Sequence, residues 1–161
     1  ESKNLRENLI EESIVEAINN FAKDAEATCS VFKRYMKKEI TFTKDIKVPL
    51  DRQLINRAFE NLLSNAVRYT KENDTITIRA NTDESEKNVI LQIEDTGCGI
   101  EKDDLSNIFE LFYRGTNSRR EEGMGIGLSV VKSIIDTHGW KISVESEKDK
   151  GTVFTITIPV N

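Results

Sequence analysis

The sequence predicts an α+β fold, in which a mostly antiparallel sheet carries helices on one face. Three observations indicate this class. A strong amphipathic helix is predicted over residues 51–69. Two pairs of adjacent alternating segments, within residues 74–95 and 140–160, are typical of antiparallel hairpins. Helical patterns separate the pairs and supply a second layer, so we expect a two-layer α/β sandwich.

The N-terminal part of the chain predicts a linker and then a domain. Residues 1–10 are polar and are assigned to a linker or to the end of a preceding helix, and residues 11–161 to the domain. Apolar residues recur at helical spacing from Glu11 onward, a pattern that can be followed as far as Met36. An alternating strand is predicted at residues 39–44, and a turn at residues 48–51 leads into the next helix.

The helix over residues 51–69 is the strongest in the chain. Asp51 is a suitable N-cap, because its carboxylate can accept a backbone N–H of the first turn. Asn61 and Asn65 are one turn apart at the edge of the apolar stripe, with Arg68 nearby. Two carboxamides at this margin are unusual for a merely solvated face, which makes them candidate functional residues.

The second half of the chain alternates strands, helices and loops. The predicted segments are strands at 74–80 and 89–95 around a charged turn at 83–87, a short helix at 101–112, a mobile basic loop at 113–123, a helix at 128–137, and strands at 140–146 and 152–160. Gly139 is a stop signal for the last helix, and Gly151 lies in the turn between the last two strands.

Composition excludes several classes of protein. The chain has 161 residues and a net charge of -5, which disfavours a nucleic-acid-binding protein. No run of about 18 apolar residues is present to span a membrane. The two cysteines, Cys29 and Cys98, do not form a disulfide framework or a CxxC motif, which favours a reducing compartment.

Glycine is concentrated in one stretch, between Asp95 and Leu128. Six of the eight glycines lie there, and none precedes them: Gly97, Gly99, Gly115, Gly123, Gly125 and Gly127. Glycine is favoured where the backbone turns at positive φ or closely approaches a ligand. The second cluster runs directly into a helix, whose N-terminus attracts anions. These clusters therefore suggest backbone wrapped around phosphates, and hence an ATP site.

Several side chains have two interpretations when taken singly. Asp95 could accept a hydrogen bond from the exocyclic amine of adenine, or could simply form a turn. Asn65 could be a Mg²⁺ ligand or a helix-surface amide, and Tyr69 could stack on a purine or be a core aromatic. The candidate phosphate partners are Arg68, Lys71, Arg114, Arg119 and Arg120.

Four segments, taken together, resemble a known family. They are 61–69 (NLLSNAVRY), 95–99 (DTGCG), 109–114 (FELFYR) and 123–128 (GMGIGL). Their order and spacing resemble the N, G1, F and G2 boxes of the catalytic ATP-binding domain of two-component sensor histidine kinases. This domain shares its Bergerat-type α/β sandwich, with a flexible ATP lid, with DNA gyrase, MutL-type repair proteins and heat-shock chaperone ATPases. The resemblance covers roughly residues 11–160.

The resemblance implies a role for each matching residue. Asn65 would coordinate Mg²⁺ with support from Asn61, and Asp95 would bind the adenine amine. The other implied roles are the adenine pocket for Gly97 and Gly99, the flank of adenine for Tyr69, phosphate contacts for Arg68 and Arg114, the phosphate cradle for Gly123, Gly125 and Gly127, the lid for residues 113–124, and completion of adenine recognition for Thr152. Lys71 and Leu128 are also assigned to cofactor binding. The implied catalytic residues are Asn61, Asn65 and Arg114, and the implied cofactors are ATP and Mg²⁺.

The chain also departs from the family pattern. Met124 replaces a small polar residue, and Arg68 replaces the commoner Lys or His. No dimerisation helix with a phospho-acceptor histidine is present, and His138 lacks the acidic neighbour of an acceptor box, so we assign it a structural role. Asn61 occupies the position of the water-activating Glu of gyrase-like relatives, which favours transfer over hydrolysis.

The resemblance implies a bacterial protein kinase that works with partners. The γ-phosphate of ATP would pass to a histidine on a separate dimerisation domain of the parent protein, with a response regulator downstream. The isolated domain is expected to be monomeric and cytoplasmic, with the parent anchored in the inner or plasma membrane. Two alternatives stay open: a serine kinase of the anti-sigma-factor type, and a non-catalytic nucleotide-binding interaction module.

Overall fold

The computed structural model of the protein describes residues 8–110 and 127–160. The helices in this part are α1 (Ile14–Phe32), α2 (Arg52–Arg68) and α3 (Gly127–Thr137). The strands are β1 (Ile10–Ser13), β2 (Tyr35–Ile40), β3 (Lys47–Leu50), β4 (Thr75–Thr82), β5 (Asn88–Asp95), β6 (Lys141–Glu147) and β7 (Gly151–Pro159).

The main sheet has five strands in the order β2-β4-β5-β7-β6. Only the β2–β4 pair in this sheet is parallel, and the other pairs are antiparallel. Residues of β5 and β7 alternate between buried and partly exposed, as expected for a sheet covered on one face. The buried rows meet apolar residues of the helices in one core. The predicted two-layer α+β fold is confirmed.

A smaller two-stranded sheet pairs β1 with β3 next to α1. Residues 11–13 therefore belong to a strand, where the helical pattern had been followed from Glu11. The helix begins at Ile14 because Ser13 is its N-cap and accepts the Glu16 N–H at 3.0 Å. Val48–Leu50, predicted as a turn, forms most of β3. The boundary between linker and domain stays a prediction.

The end of α1 and the position of β2 also differ from the prediction. Lys33 adopts a left-handed conformation with φ 62°, and its N–H caps the helix, which therefore stops at Phe32. The chain then enters β2 at Tyr35, four residues before the predicted strand. Pairing with β4, from Tyr35 opposite Thr75 to Ile40 opposite Ala80, sets these limits.

The short helix predicted at residues 101–112 is wrong for the part that is described. Residues 101–110 form successive turns, in which Asp104, Asn107 and Glu110 each donate to the carbonyl three residues earlier. Asp, Ser and Asn are frequent in this segment, and their side chains compete with helical backbone hydrogen bonds. Residues 111 and 112 lie outside the described residues.

His138, the single histidine of the chain, joins α3 to the start of α2. Its Nε2 accepts the Asp51 N–H at 3.0 Å, and its Nδ1 is 2.8 Å from the Ile134 carbonyl oxygen. A carbonyl only accepts and an N–H only donates, so the ring is neutral with its proton on Nδ1. The structural role assigned to His138 thus has a physical basis.

We expect the His138→Phe variant to lose stability at pH 8 and to lose part of its pH dependence. The variant leaves the Asp51 N–H without its acceptor, which costs about 1–3 kcal/mol, while the ring contact with Trp140, 4.9 Å between centroids, is kept. Burial lowers the pKa of His138 below its ordinary 6.5. The unfolded chain therefore binds the proton first. The stability that neutral His138 contributes is lost as the pH falls below 6.5 toward the lower pKa of the folded state.

Urea unfolding of the wild type and the variant between pH 5 and pH 8 checks this prediction. The informative quantity is the difference in the free energy of unfolding between wild type and variant. Asp95, whose raised pKa stabilises the fold as pH falls, contributes equally to both proteins and cancels in this difference. A difference that stays constant with pH would show that His138 contributes no linked proton.

Candidate functional site

The C-terminal turns of α2 carry the first group of predicted site residues. Asn65 is buried, with 8% of its surface exposed, and Asn61, one turn earlier, is half-buried. Arg68 is the last helical residue, and Tyr69 is the C-cap, whose N–H bonds to the Asn65 carbonyl. Asp51 caps the other end, accepting the Leu54 N–H at 3.1 Å, as predicted. The helix is thus fixed at both ends.

Arg34, which the sequence analysis did not single out, holds this helix end in place. Its guanidinium donates to the Val67 carbonyl at 3.0 Å, to the Thr70 carbonyl at 2.6 Å and to the Thr70 hydroxyl at 3.0 Å. A planar donor group with several N–H bonds suits the carbonyls that a helix leaves at its end. These partners are more than 30 residues away in the chain, so no local pattern could have indicated Arg34.

The first glycine cluster is packed against the protein backbone. The Cys98 N–H donates to the Tyr69 carbonyl at 3.0 Å, and a Cβ on Gly97 would lie 2.1 Å from that same oxygen. Gly99 has φ 72°, and a Cβ there would lie 2.1 Å from the Glu147 carbonyl oxygen. The sequence had suggested phosphates as the reason for these glycines. Close approach to α2 and to the β6–β7 turn accounts for Gly97 and Gly99.

Asp95 ends β5 on the helix-covered face of the sheet, opposite Thr152 in β7. It is buried, with 4% of its surface exposed, and its carboxylate accepts the Gly97 N–H at 2.9 Å and the Thr152 N–H. Burial raises its pKa from the ordinary 3.8 to about 6, against the lowering effect of these two hydrogen bonds. A carboxylate has about four lone-pair sites, so capacity remains for a donor on a ligand.

Ser146 is a second residue that the sequence analysis missed. It faces Thr152 across the β6–β7 pair, and its hydroxyl lies 2.8 Å from the Thr152 Oγ1. The same hydroxyl contacts the Ile100 N–H and the Gly151 carbonyl. A serine in an alternating strand shows no distinctive pattern, and only the register of β6 against β7 reveals its place.

Two cavities border the glycine loop, residues 96–99, and Thr96 lines both of them. One, of about 390 Å³, is lined among others by Arg68, Tyr69, Lys71 and Gly97. The other, of about 530 Å³, is lined by Asp95, Ser146, Gly151 and Thr152 and also by outer-face residues of the same strands, among them Glu94, Glu145 and Val153. The structure thus groups the predicted residues into two neighbouring sets. Asn61, Asn65, Gly127 and Leu128 line neither of these two cavities.

The remaining predicted residues lie at α3 or outside the described residues. Gly127 is the exposed first residue of α3, and within residues 8–110 and 127–160 no atom outside the helix's own backbone and its chain neighbours lies within 4 Å of where its Cβ would be. Leu128 packs partly against the core. Arg114, Gly123, Gly125, Met124 and the lid at 113–124 fall outside the described residues. Their roles stay predictions.

The cations of the site have mixed surroundings. Lys71 is exposed, and its backbone N–H bonds to Asp74 at 2.9 Å. Arg68 is half-buried at the rim of the 390 Å³ cavity, which also contains the acidic residues Asp74 and Asp149. Glu60, the acidic residue directly before Asn61, lies on the groove between α1 and α2 that Asp24 and Phe32 also line.

Residues 50–161 match the family model described as histidine kinase-, DNA gyrase B- and HSP90-like ATPase. The chain belongs to this family. The sensor protein SrrB of Staphylococcus aureus is 42% identical over 111 residues, which are 68% of this chain and 19% of SrrB. The chain thus spans about a fifth of the length of the curated relatives it matches.

Solved structures agree with this assignment. The catalytic domain of histidine kinase ThkA has a TM-score of 0.78 at 27% identity, covering 95% of this chain and 98% of that one. A mycobacterial sensor histidine kinase, MprB, has the same fold, with a TM-score of 0.81 at 24% identity, covering 94% and 99%. Within its family, this chain is the ATP-binding domain of a two-component sensor histidine kinase.

No helix in residues 8–110 or 127–160 is both long and apolar enough to cross a membrane. These residues also contain no cluster of three or more His, Cys, Asp or Glu side chains that could hold a metal ion.

Proposed function

We propose that this chain binds Mg·ATP and presents the γ-phosphate to a histidine on a separate helical dimerisation domain of its parent protein. The observation that carries the proposal is the buried Asp95 carboxylate opposite Thr152. Two backbone N–H groups hold it in place, and it keeps acceptor capacity. An exocyclic amine such as that of adenine supplies the matching donor.

The phosphate end of the site is assigned to cations and to α2. Arg68 and Lys71 share a cavity with the glycine loop, within reach of an anionic ligand held there. Asn65 is the residue that would hold Mg²⁺, and a single carboxamide oxygen suits an ion that takes most of its ligands from phosphates and water. When bound, the ion neutralises charge that develops on the phosphate oxygens.

Phosphoryl transfer requires positioning and charge neutralisation more than a protein nucleophile. The buried contacts around Asp95 and the fixed end of α2 supply positioning. Asn61 is a carboxamide and cannot act as a general base toward water, and Glu60 is exposed on the α1–α2 groove. The domain is therefore assigned to transfer, with slow hydrolysis in the absence of an acceptor.

The proposal extends to the protein that would receive the phosphoryl group from the histidine. ThkA has been solved in complex with the response regulator protein TrrA, and that ThkA chain has a TM-score of 0.75 at 26% identity, with 95% of this chain and 42% of that one covered. We assign a response regulator of the same general kind as the final acceptor of the phosphoryl group.

Mixing the domain with Mg·ATP and the parent's histidine-bearing domain in trans tests this function. We expect labelled phosphohistidine, which is acid-labile, and only slow phosphate release when the acceptor is left out. Acid-stable phosphoserine would instead support a serine kinase of the anti-sigma-factor type. Tight nucleotide binding with no transfer to any acceptor would support a non-catalytic binding module.

A further inference from the structure

Ser146 contacts three groups that come from two segments of the chain at the Asp95 end of the site. Its Oγ is 2.8 Å from the Ile100 amide nitrogen, 2.9 Å from the Gly151 carbonyl oxygen and 2.8 Å from the Thr152 Oγ1. Ile100 follows the first glycine cluster, whereas Gly151 and Thr152 begin β7. One hydroxyl therefore joins the glycine loop to the strand that faces Asp95.

Counting protons fixes the direction of each hydrogen bond. The Ile100 N–H can only donate, so Ser146 accepts there. The Gly151 carbonyl can only accept, so the one proton of Ser146 points to that oxygen. The remaining lone pair of Ser146 must then accept the hydroxyl proton of Thr152. The opposite direction at Thr152 would leave two oxygen atoms 2.9 Å apart with no proton between them.

This arrangement makes the Thr152 hydroxyl an acceptor toward any ligand. Its proton is used by Ser146, and its backbone N–H is used by Asp95. The ionised Asp95 carboxylate is also an acceptor only. Two neighbouring acceptors favour a ligand edge that carries an amine and disfavour one that carries a carbonyl oxygen.

We propose that Ser146 is a positioning residue, which fixes the Thr152 hydroxyl as an acceptor and so selects an amino-purine over an oxo-purine nucleotide. This rests on the proposed function, in which Asp95 and Thr152 face the purine. Ser146 need not touch the base, because it acts through the orientation of Thr152.

The test compares ADP with IDP, whose purine carries an oxygen where adenine carries the amine. The preference for ADP is the ratio of the Kd of IDP to the Kd of ADP. We expect Ser146→Ala to lower this ratio by about tenfold, because the released Thr152 hydroxyl can turn and donate to the oxygen of IDP. Ser146→Thr, which keeps the hydroxyl, should retain the preference. Ser143→Ala should retain it too, since Ser143 is an exposed residue on the opposite face of β6.

A double-mutant cycle separates positioning from general structural support. Against a Thr152→Val background, the Ser146→Ala change should have no further effect on the ratio of the ADP and IDP affinities. Should the alanine variant fail to fold, Ser146→Cys keeps a similar volume with only weak hydrogen bonding and is expected to narrow the preference in the same way.

The outcomes are distinguishable. If the wild type prefers ADP and Ser146→Ala keeps that preference, Ser146 has no positioning role and the proposed function stands. The positioning role also fails if Ser146→Ala narrows the preference equally with and without Thr152. If the wild type binds neither nucleotide, the proposed function fails and this inference fails with it.

Discussion

The Asp95→Asn variant is expected to bind ADP about 100-fold more weakly than the wild type while remaining at least as stable. A carboxylate that accepts from an amine forms a charge-assisted bond, and an amide facing the same amine loses it. Stability follows the opposite course. The rise of the Asp95 pKa to about 6 corresponds to about 3 kcal/mol of unfavourable charge burial at neutral pH. The neutral amide of the variant avoids this cost. The gain is only partial, because an amide has one oxygen and leaves one of the two backbone N–H groups less well paired.

Isothermal titration with ADP and urea unfolding at pH 7 measure the two effects. Glu84→Gln is the matched control, since it removes a charge from an exposed residue in the β4–β5 turn, at the other end of β5 from Asp95. The affinity of the wild type should also fall as pH drops below about 6, where Asp95 takes up a proton. An Asp95→Asn variant that binds ADP as tightly as the wild type would remove Asp95 from the nucleotide site.

The Asn65→Ala variant is expected to lose about 100-fold in the rate of phosphohistidine formation, because it removes the proposed Mg²⁺ ligand and with it part of the charge stabilisation that the ion would supply. Alanine is a good helix former, so α2 should persist. The initial rate of transfer in trans, measured over a range of Mg²⁺ concentrations, tests this. ADP affinity in EDTA should change little, and its increase on adding Mg²⁺ should be lost.

Ser64→Ala is the control for this variant, since Ser64 is the preceding residue and is exposed on α2. It should transfer phosphate at the wild-type rate. If Asn65→Ala retains the wild-type rate and the wild-type dependence on Mg²⁺, the metal must be held by other residues, and the assignment of Asn65 is wrong.

The parts of the fold that could be predicted are those with a strong local pattern. The α2 helix, its Asp51 cap and the β4–β5 hairpin all follow from spacing within a few residues of the chain. The short strands β1 and β3 could not be predicted, because each has four residues and exists through its pairing with the other. The predicted helix near residue 101 was wrong because polar side chains there favour turns.

Some residues of the candidate site could likewise be selected from the sequence, and others depend on the fold. Asp95 and Thr152 were selected through a family resemblance, and their direct juxtaposition depends on the β5–β7 register, which no single segment encodes. Arg34 and Ser146 were missed, because each acts through partners that only the fold brings near. Gly97 and Gly99 were singled out because glycine allows close approach, and the atoms that they approach belong to the protein backbone.

The hydrogen bonds that Arg34 makes to the end of α2 have an entropic consequence. Together with the Cys98 N–H bond to Tyr69, they immobilise the helix end and the glycine loop as the chain folds. The conformational entropy of these segments is therefore lost during folding, before any nucleotide arrives. A ligand that contacts the end of α2 and the glycine loop therefore does not have to order them. More of its contact energy contributes to affinity as a result.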